Sequence, residues 1–164
     1  MRSGEGVYTY CEKNPEATAD VYSGSWLKNE KNGIGKQSYQ GVGYYYGYWE
    51  KGARHGEGVM TYVNQDVYSG MWANGNKDGL GTYIFQSTGQ KYIGSFIKGE
   101  MVRGKWLFSN GTHYKGDFDN NKPKGQGEWH FSNGNHVQGT YRQTVKAEDS
   151  ESDPIKLAWQ SVIA

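Results

Sequence analysis

One glycine returns along the chain at an almost constant interval: Gly24, Gly47, Gly70, Gly94, Gly116 and Gly139 stand 23, 23, 24, 22 and 23 residues apart. A repeat this regular restricts the fold more than any other feature, because each unit must stack on its neighbours to bury a face it cannot bury alone. Two residues before these glycines stand Tyr22, Tyr45, Tyr68, Tyr92, Tyr114 and Val137, and two after stand Trp26, Trp49, Trp72, Phe96, Phe118 and Tyr141. Residues two apart share one face of a strand, so each Tyr-x-Gly-x-Trp segment reads as a strand with rings on one side.

A second strand follows each of the first five. Its last glycine is Gly35, Gly58, Gly81, Gly104 or Gly127, with Gly6 opening the series, and aromatic residues at Tyr10, Tyr39, Tyr62, Phe85, Phe108 and Phe131 lie four positions on. The alternate positions, such as Lys36 and Ser38 or Glu128 and His130, are mixed or polar, which assigns one face to rings and the other to water. The clearest unit spans residues 68–85, and its segment 73–78, containing Asn74-Gly75, turns the chain into a β-hairpin. Glycine on the ring face leaves room for rings from neighbouring strands to lie over the backbone. The reading is therefore all-β: one elongated, curved antiparallel sheet of stacked hairpins, with an aromatic trough.

The 164 residues suit one domain. Its 25 glycines would suggest disorder were they not interleaved with six Trp, 14 Tyr and five Phe. Eighteen basic and 17 acidic residues leave a formal charge of +1, so the composition gives no global attraction to nucleic acid. Cys11 has no second cysteine to pair with, which points to a reducing, intracellular compartment. Residues 1–10 are too short, polar and Gly-rich for a signal peptide, and no run of 18 apolar residues is present to span a membrane.

Both ends depart from the period. Residues 4–10 form a partial first repeat, naturally incomplete or truncated, followed by a longer loop over 11–20; residues 137–141 form a partial last repeat. The repeat domain thus spans 1–141. An acidic linker is expected over 142–153, then an amphipathic helix over 154–164, capped by Asp153 with Pro154 in its first turn. Ile155, Ala158, Trp159, Val162 and Ile163 would form its apolar stripe and dock onto the trough, a second subunit or a membrane.

These columns, Tyr-x-Gly-x-Trp followed by His/Asp-Gly-x-Gly, resemble the MORN repeat (membrane occupation and recognition nexus) over residues 4–141, with 51–58 (KGARHGEG) the closest local fit. One unit departs: Val102 replaces the first glycine of its pair and one residue is missing, a change expected to affect only the local turn. Residues 62–72 (YVNQDVYSGMW), 87–96 (STGQKYIGSF) and 114–123 (YKGDFDNNKP), with the acidic and Trp-bearing tail, are similar to the radial spoke head MORN subunits of motile cilia and flagella. That resemblance implies a non-enzymatic scaffold in the cytoplasmic axoneme. Its partners would be other spoke head subunits, and self-association is also open, with no nucleic acid and no cofactor. The alternative it leaves is an adaptor for anionic phospholipid.

The remaining motifs carry no chemistry. Residues 99–105 have phosphate-loop spacing, but Trp106 stands where Ser or Thr must meet magnesium, and the repeat accounts for both glycines. Asn110-Gly111-Thr112 spells a glycosylation sequon and reads as a hairpin turn. His55, His113, His130 and His136 occupy different repeat positions without ligand spacing, so they read as surface or turn residues and not as a metal site. Lys28, Lys31, Lys51, Arg54, Lys77, Lys98, Arg103, Lys122 and Lys124 fall between the strands of their hairpins. They are expected along one edge, where Glu30, Glu50, Glu57, Asp78 and Glu100 dilute any polybasic patch.

Overall fold

The computed structural model describes residues 1–10, 19–145 and 155–162. Cys11, most of the 11–20 loop, the acidic part of the 142–153 segment with its Asp153 cap, Pro154 and Ile163 lie outside the described residues. Thirteen strands form one antiparallel sheet in simple chain order. They are β1 (Gly4–Thr9), β2 (Val21–Leu27), β3 (Glu30–Tyr39), β4 (Gly43–Glu50), β5 (Ala53–Tyr62), β6 (Val67–Ala73) and β7 (Asn76–Ile84). The second half adds β8 (Lys91–Ile97), β9 (Glu100–Leu107), β10 (His113–Asp119), β11 (Lys122–His130), β12 (His136–Val145) and β13 (Ile155–Ser161). The hairpin connection is tighter than the six residues read from 73–78: Asn74 and Gly75 alone turn the chain, both with positive φ (49° and 81°). Lys28-Asn29, Lys51-Gly52, Lys98-Gly99 and Asn120-Asn121 repeat that geometry, which matches the twist of the flanking strands.

Register converts the glycine columns into a single row. Gly6 pairs with Gly24, Gly24 with Gly35, Gly35 with Gly47 and Gly47 with Gly58. The row continues through Gly70, Gly81, Gly94, Gly104, Gly116 and Gly127 to Gly139. Tyrosine rings lie along it. A Cβ placed on Gly70 would sit 2.5 Å from Gly81 Cα, 2.6 Å from the Leu80 carbonyl oxygen and 2.8 Å from Tyr68 Oη. Tyr22, Tyr45 and Tyr68 are fully buried, and their hydroxyls donate to the carbonyls of Ser25, Tyr48 and Met71 at 2.9, 2.9 and 3.0 Å.

Each of these rings touches two indoles or their equivalents. Tyr45 meets Trp49 of its own strand at 5.3 Å and Trp72 of the next repeat at 5.1 Å, both edge to face; Tyr68 meets Trp72 at 5.2 Å and Phe96 at 5.0 Å. Such pairs each contribute about 0.5–1.5 kcal/mol beyond burial. The stack covers itself so fully that Trp49 and Trp72 are 2% and 4% exposed. Along this stack the expected open trough is a packed core, while Trp106 and Trp129 farther along stay only partly buried.

The unit holding Val102 shows why its glycine was dispensable. In the other hairpins four residues of the second strand oppose two of the first, and the glycines at this bulge, Gly33, Gly56, Gly79 and Gly125, have positive φ. In β9 only three residues span the same bulge, so the position needs no left-handed residue and Val102 fits. The Lys98-Gly99 turn is unchanged, so the deletion falls in the bulge and not, as the sequence suggested, in the turn. The shortened strand brings Met101, fully buried, over Gly104, and Tyr92 moves aside to donate to the Asn121 carbonyl at 2.9 Å.

The C-terminal helix expected over 154–164 is a strand instead. β13 pairs along β12 from Val145–Ile155 to Gly139–Ser161, and β12 itself runs to Val145. A short apolar segment satisfies both helical and alternating patterns. A helix of this length is unstable alone, whereas the open edge of β12 supplies hydrogen-bond partners for every second residue. Trp159 decides the outcome: its ring packs on Tyr141 at 4.8 Å and Tyr114 at 6.2 Å, over the Cβ-less Gly139. Ser161 then takes the small-residue place in the row. Among the other residues of the expected stripe, Ile155 lies opposite Val145, while Ala158 and Val162 are exposed.

Gly70→Val should therefore lower stability by about 3 kcal/mol or more, since neither the Leu80 carbonyl nor the facing backbone can yield. Gly6→Ala, whose added carbon would meet Trp26 at an ordinary 3.5 Å, should cost less than about 1 kcal/mol. Chemical denaturation of the two variants checks the contrast.

Candidate functional site

The two faces of the sheet have different resources, and the basic residues divide between them. Two residues before the first glycine of the Gly-x-Gly pair stand Arg2, Lys31, Arg54 and Lys77 in the first four units, in the pattern Lys/Arg-x-Gly-x-Gly. These side chains fold over the ring stack. Lys31 Nζ lies 4.3 Å from the Trp49 ring centre, Arg54 Cζ 4.5 Å from Trp72, Arg2 Cζ 5.3 Å from Trp26 and Lys77 Nζ 5.6 Å from Phe96, each ring belonging to the following repeat. The backbone carbonyls of the same four residues accept hydrogen bonds from Asn29, Gly52, Gly75 and Gly99, the second residue of the next hairpin turn, at 2.9–3.0 Å. One position thus joins consecutive repeats through both its side chain and its main chain.

Burial lowers the pKa of Lys31 and Lys77, because removing an ammonium from water penalises its charged form. Ring faces offset part of that penalty, and Lys31 also donates to the buried Gln37 at 2.8 Å. Farther along, Met101 and Pro123 occupy the same register position opposite Phe96 and Phe118. The position therefore needs a cover for the ring, not a charge. The sequence suggested nine solvated cations along one edge. Instead, Lys31, Arg54 and Lys77 lie half-buried over the core rings, Lys28, Lys51 and Lys98 are exposed at turns, and Arg103 and Lys124 pair with Asp117 and Asp119 at 3.5 and 2.6 Å.

The opposite face, expected to be polar, carries an apolar patch. β4 reads Gly-Tyr-Tyr-Tyr-Gly-Tyr-Trp-Glu, so Tyr44, Tyr46 and Tyr48 alternate out of phase with the buried Tyr45 and Trp49. Tyr46 is 55% exposed and Tyr48 51%. Across neighbouring strands Ile34 faces Tyr48, Val59 faces Tyr46 and Met71 faces Glu57, with Leu80, 70% exposed, beyond them. Together they line a shallow depression of about 800 Å³ that follows the glycine row. The signal was present in the sequence as a double alternation at 44–49, but ring columns explain only one of its phases.

Among the described residues, no group of three His, Cys, Asp or Glu is arranged to hold a metal ion, and no helix is long and apolar enough to cross a membrane. His55 lies beside Glu50 at 3.4 Å, whereas His113, His130 and His136 lie together at the far end of the back face.

Comparison with known protein families matches the MORN repeat at residues 1–14, 22–41, 45–67, 68–90, 92–113 and 114–136. No curated protein matches the chain significantly.

Two outcomes test the packing just described. Lys77→Met should leave stability within about 1 kcal/mol of the parent, because Met already serves at Met101, whereas Lys77→Asp should lower it by about 2 kcal/mol or more through an unpaired buried charge. Burial also pushes the phenols of Tyr22, Tyr68 and Tyr114 up to about 12, against an ordinary 10.0. The unfolded chain then loses these protons first, so their contribution is complete below pH 10 and is lost as pH rises toward 12. Thermal melting followed from pH 9 to 11.5 should show the midpoint falling above pH 10.

Proposed function

The chain belongs to the MORN-repeat family, and from that premise we propose that it is a non-enzymatic scaffold subunit of the axonemal radial spoke head, assembling with other spoke head proteins in motile cilia and flagella. The repeat itself points to a protein-interaction or membrane-binding module. The observation that carries the protein-binding reading is the back-face patch of Tyr46, Tyr48, Met71 and Leu80. Exposed tyrosine and methionine around a shallow depression have the composition of protein interfaces. The spoke head assignment rests on the resemblance of residues 62–72, 87–96 and 114–123 to spoke head MORN subunits. The rigid ladder supports a structural role, because it holds the patch on strands whose opposite face is packed.

The lipid-adaptor alternative draws less support. Its cations do not share one surface: Lys31 and Lys77 lie over rings, and Arg103 and Lys124 are engaged by aspartates.

Affinity purification of the tagged chain from ciliated cells should recover spoke head components, and Tyr46→Ser with Tyr48→Ser should reduce that recovery without changing the melting midpoint. Recovery of none of them would overturn the spoke assignment. Liposome flotation with anionic lipid at low salt should show no association; strong binding there, abolished at physiological salt, would favour the adaptor instead.

A further inference from the structure

Three histidines that stand at unrelated repeat positions meet on the back face. His113 of β10 pairs in register with His130 of β11, and His130 with His136 of β12. Their imidazoles form a row. The His113 and His130 rings are 4.7 Å apart and within 3° of parallel, and the His130 and His136 rings are 5.9 Å apart at 25°. Glu128, two residues before His130 on the same face, reaches the two later rings with separate oxygens. Its Oε2 lies 2.9 Å from His130 Nε2 and its Oε1 3.8 Å from His136 Nε2.

Neutral imidazole with one carboxylate is a donor set suited to zinc and neighbouring transition metals. Two ligands each bound 2.0–2.1 Å from a tetrahedral ion lie about 3.3 Å apart, and the two Glu128 contacts bracket that spacing. As the rings stand, three donors do not converge on one point. The missing element is side-chain orientation, since the paired strands already fix the four Cα positions. His136, with 62% of its side chain exposed, has room to turn. Besides stacking on His130, the His113 ring makes a long Nδ1 contact to the Gly111 carbonyl, 3.3 Å.

We propose that His113, His130, His136 and Glu128 form a surface site for one divalent transition-metal ion, completed by rotation of the two outer rings. The imidazoles bind as neutral ligands, so affinity falls with acidification. Lys115, opposite Glu128 on β10, competes for the carboxylate and keeps the site weaker than a structural zinc centre. An ion there would bridge β10, β11 and β12, and so stiffen the strands that carry β13.

The test is calorimetric titration of the intact chain carrying Cys11→Ser, which removes the thiol as a competing ligand, with Zn²⁺ and separately Ni²⁺ at neutral pH. Saturable uptake of one ion per chain is expected, with histidine resonances of the row shifting together in nuclear magnetic resonance spectra. His130→Gln and Glu128→Gln should each weaken binding at least about tenfold, while His55→Gln should not. If His130→Gln lowers the metal-free melting midpoint, His136→Gln at the exposed ring supplies the same comparison. Absence of saturable binding, or equal affinity in parent and row variants, would overturn the proposal.

Discussion

The structure depends on one steric arrangement: a tyrosine ring lying flat over a pair of glycines on adjacent strands. At Tyr68 the ring occupies the space that a Cβ on Gly81 would need, with its Cε2 and Cζ both 2.6 Å from that point. Glycine weakens an isolated strand by its entropy, so the hairpin gains from its glycines only when a ring covers them. The covering ring in turn touches the indole or phenyl ring of the next repeat. Stability is therefore shared between neighbours, as expected for a nearest-neighbour array, and no hairpin has a private core.

Exceptions to the repeat follow from the same constraint. Where β9 is one residue short at its bulge, Met101 takes the place over the glycines and Tyr92 finds another acceptor. At the C-terminal side, Trp159 closes the stack over Gly139 in a strand that lies outside the 23-residue period. The ladder tolerates these substitutions because it needs a ring or an apolar cover at each place, not one residue type. Arg2, Lys31, Arg54 and Lys77 fit the same rule: their stems and charged heads lie over the rings that Met and Pro cover elsewhere.

How much of this was legible in the sequence depended on whether one period held. The sheet, its order and the glycine and ring columns followed from residues two apart, because alternation has a single strand interpretation over five repeats. Residues 155–161 did not yield to that logic. Ile155 and Trp159 suit a helix stripe as well as a strand face, and only the open edge of β12 and the uncovered Tyr114 and Tyr141 rings select between them. The cation column was readable as Lys/Arg-x-Gly-x-Gly, but charge suggested solvent, and the indoles beneath it belong to the next repeat. The histidine row was hidden for a different reason. In an antiparallel pair, a residue before one column and a residue after another become partners, as His113 and His130 do. The back-face patch was masked by its neighbours, since Tyr44, Tyr46 and Tyr48 are interleaved with the column residues Tyr45 and Trp49 and belong to no repeating column themselves.

Packing thus occupies one face of the ladder and leaves recognition to the other, and everything placed on the back face relies on the ring–glycine contact behind it. A double-mutant cycle between Tyr68 and Gly81 measures that contact most directly. Gly81→Ala should cost about 2 kcal/mol or more in the parent, and should cost markedly less in a Tyr68→Leu background, where the shorter side chain vacates the space, giving a coupling of at least about 1 kcal/mol. Additive costs, with Gly81→Ala equally destabilising whether or not Tyr68 is present, would show that the ring does not set the requirement for glycine and would contradict the account.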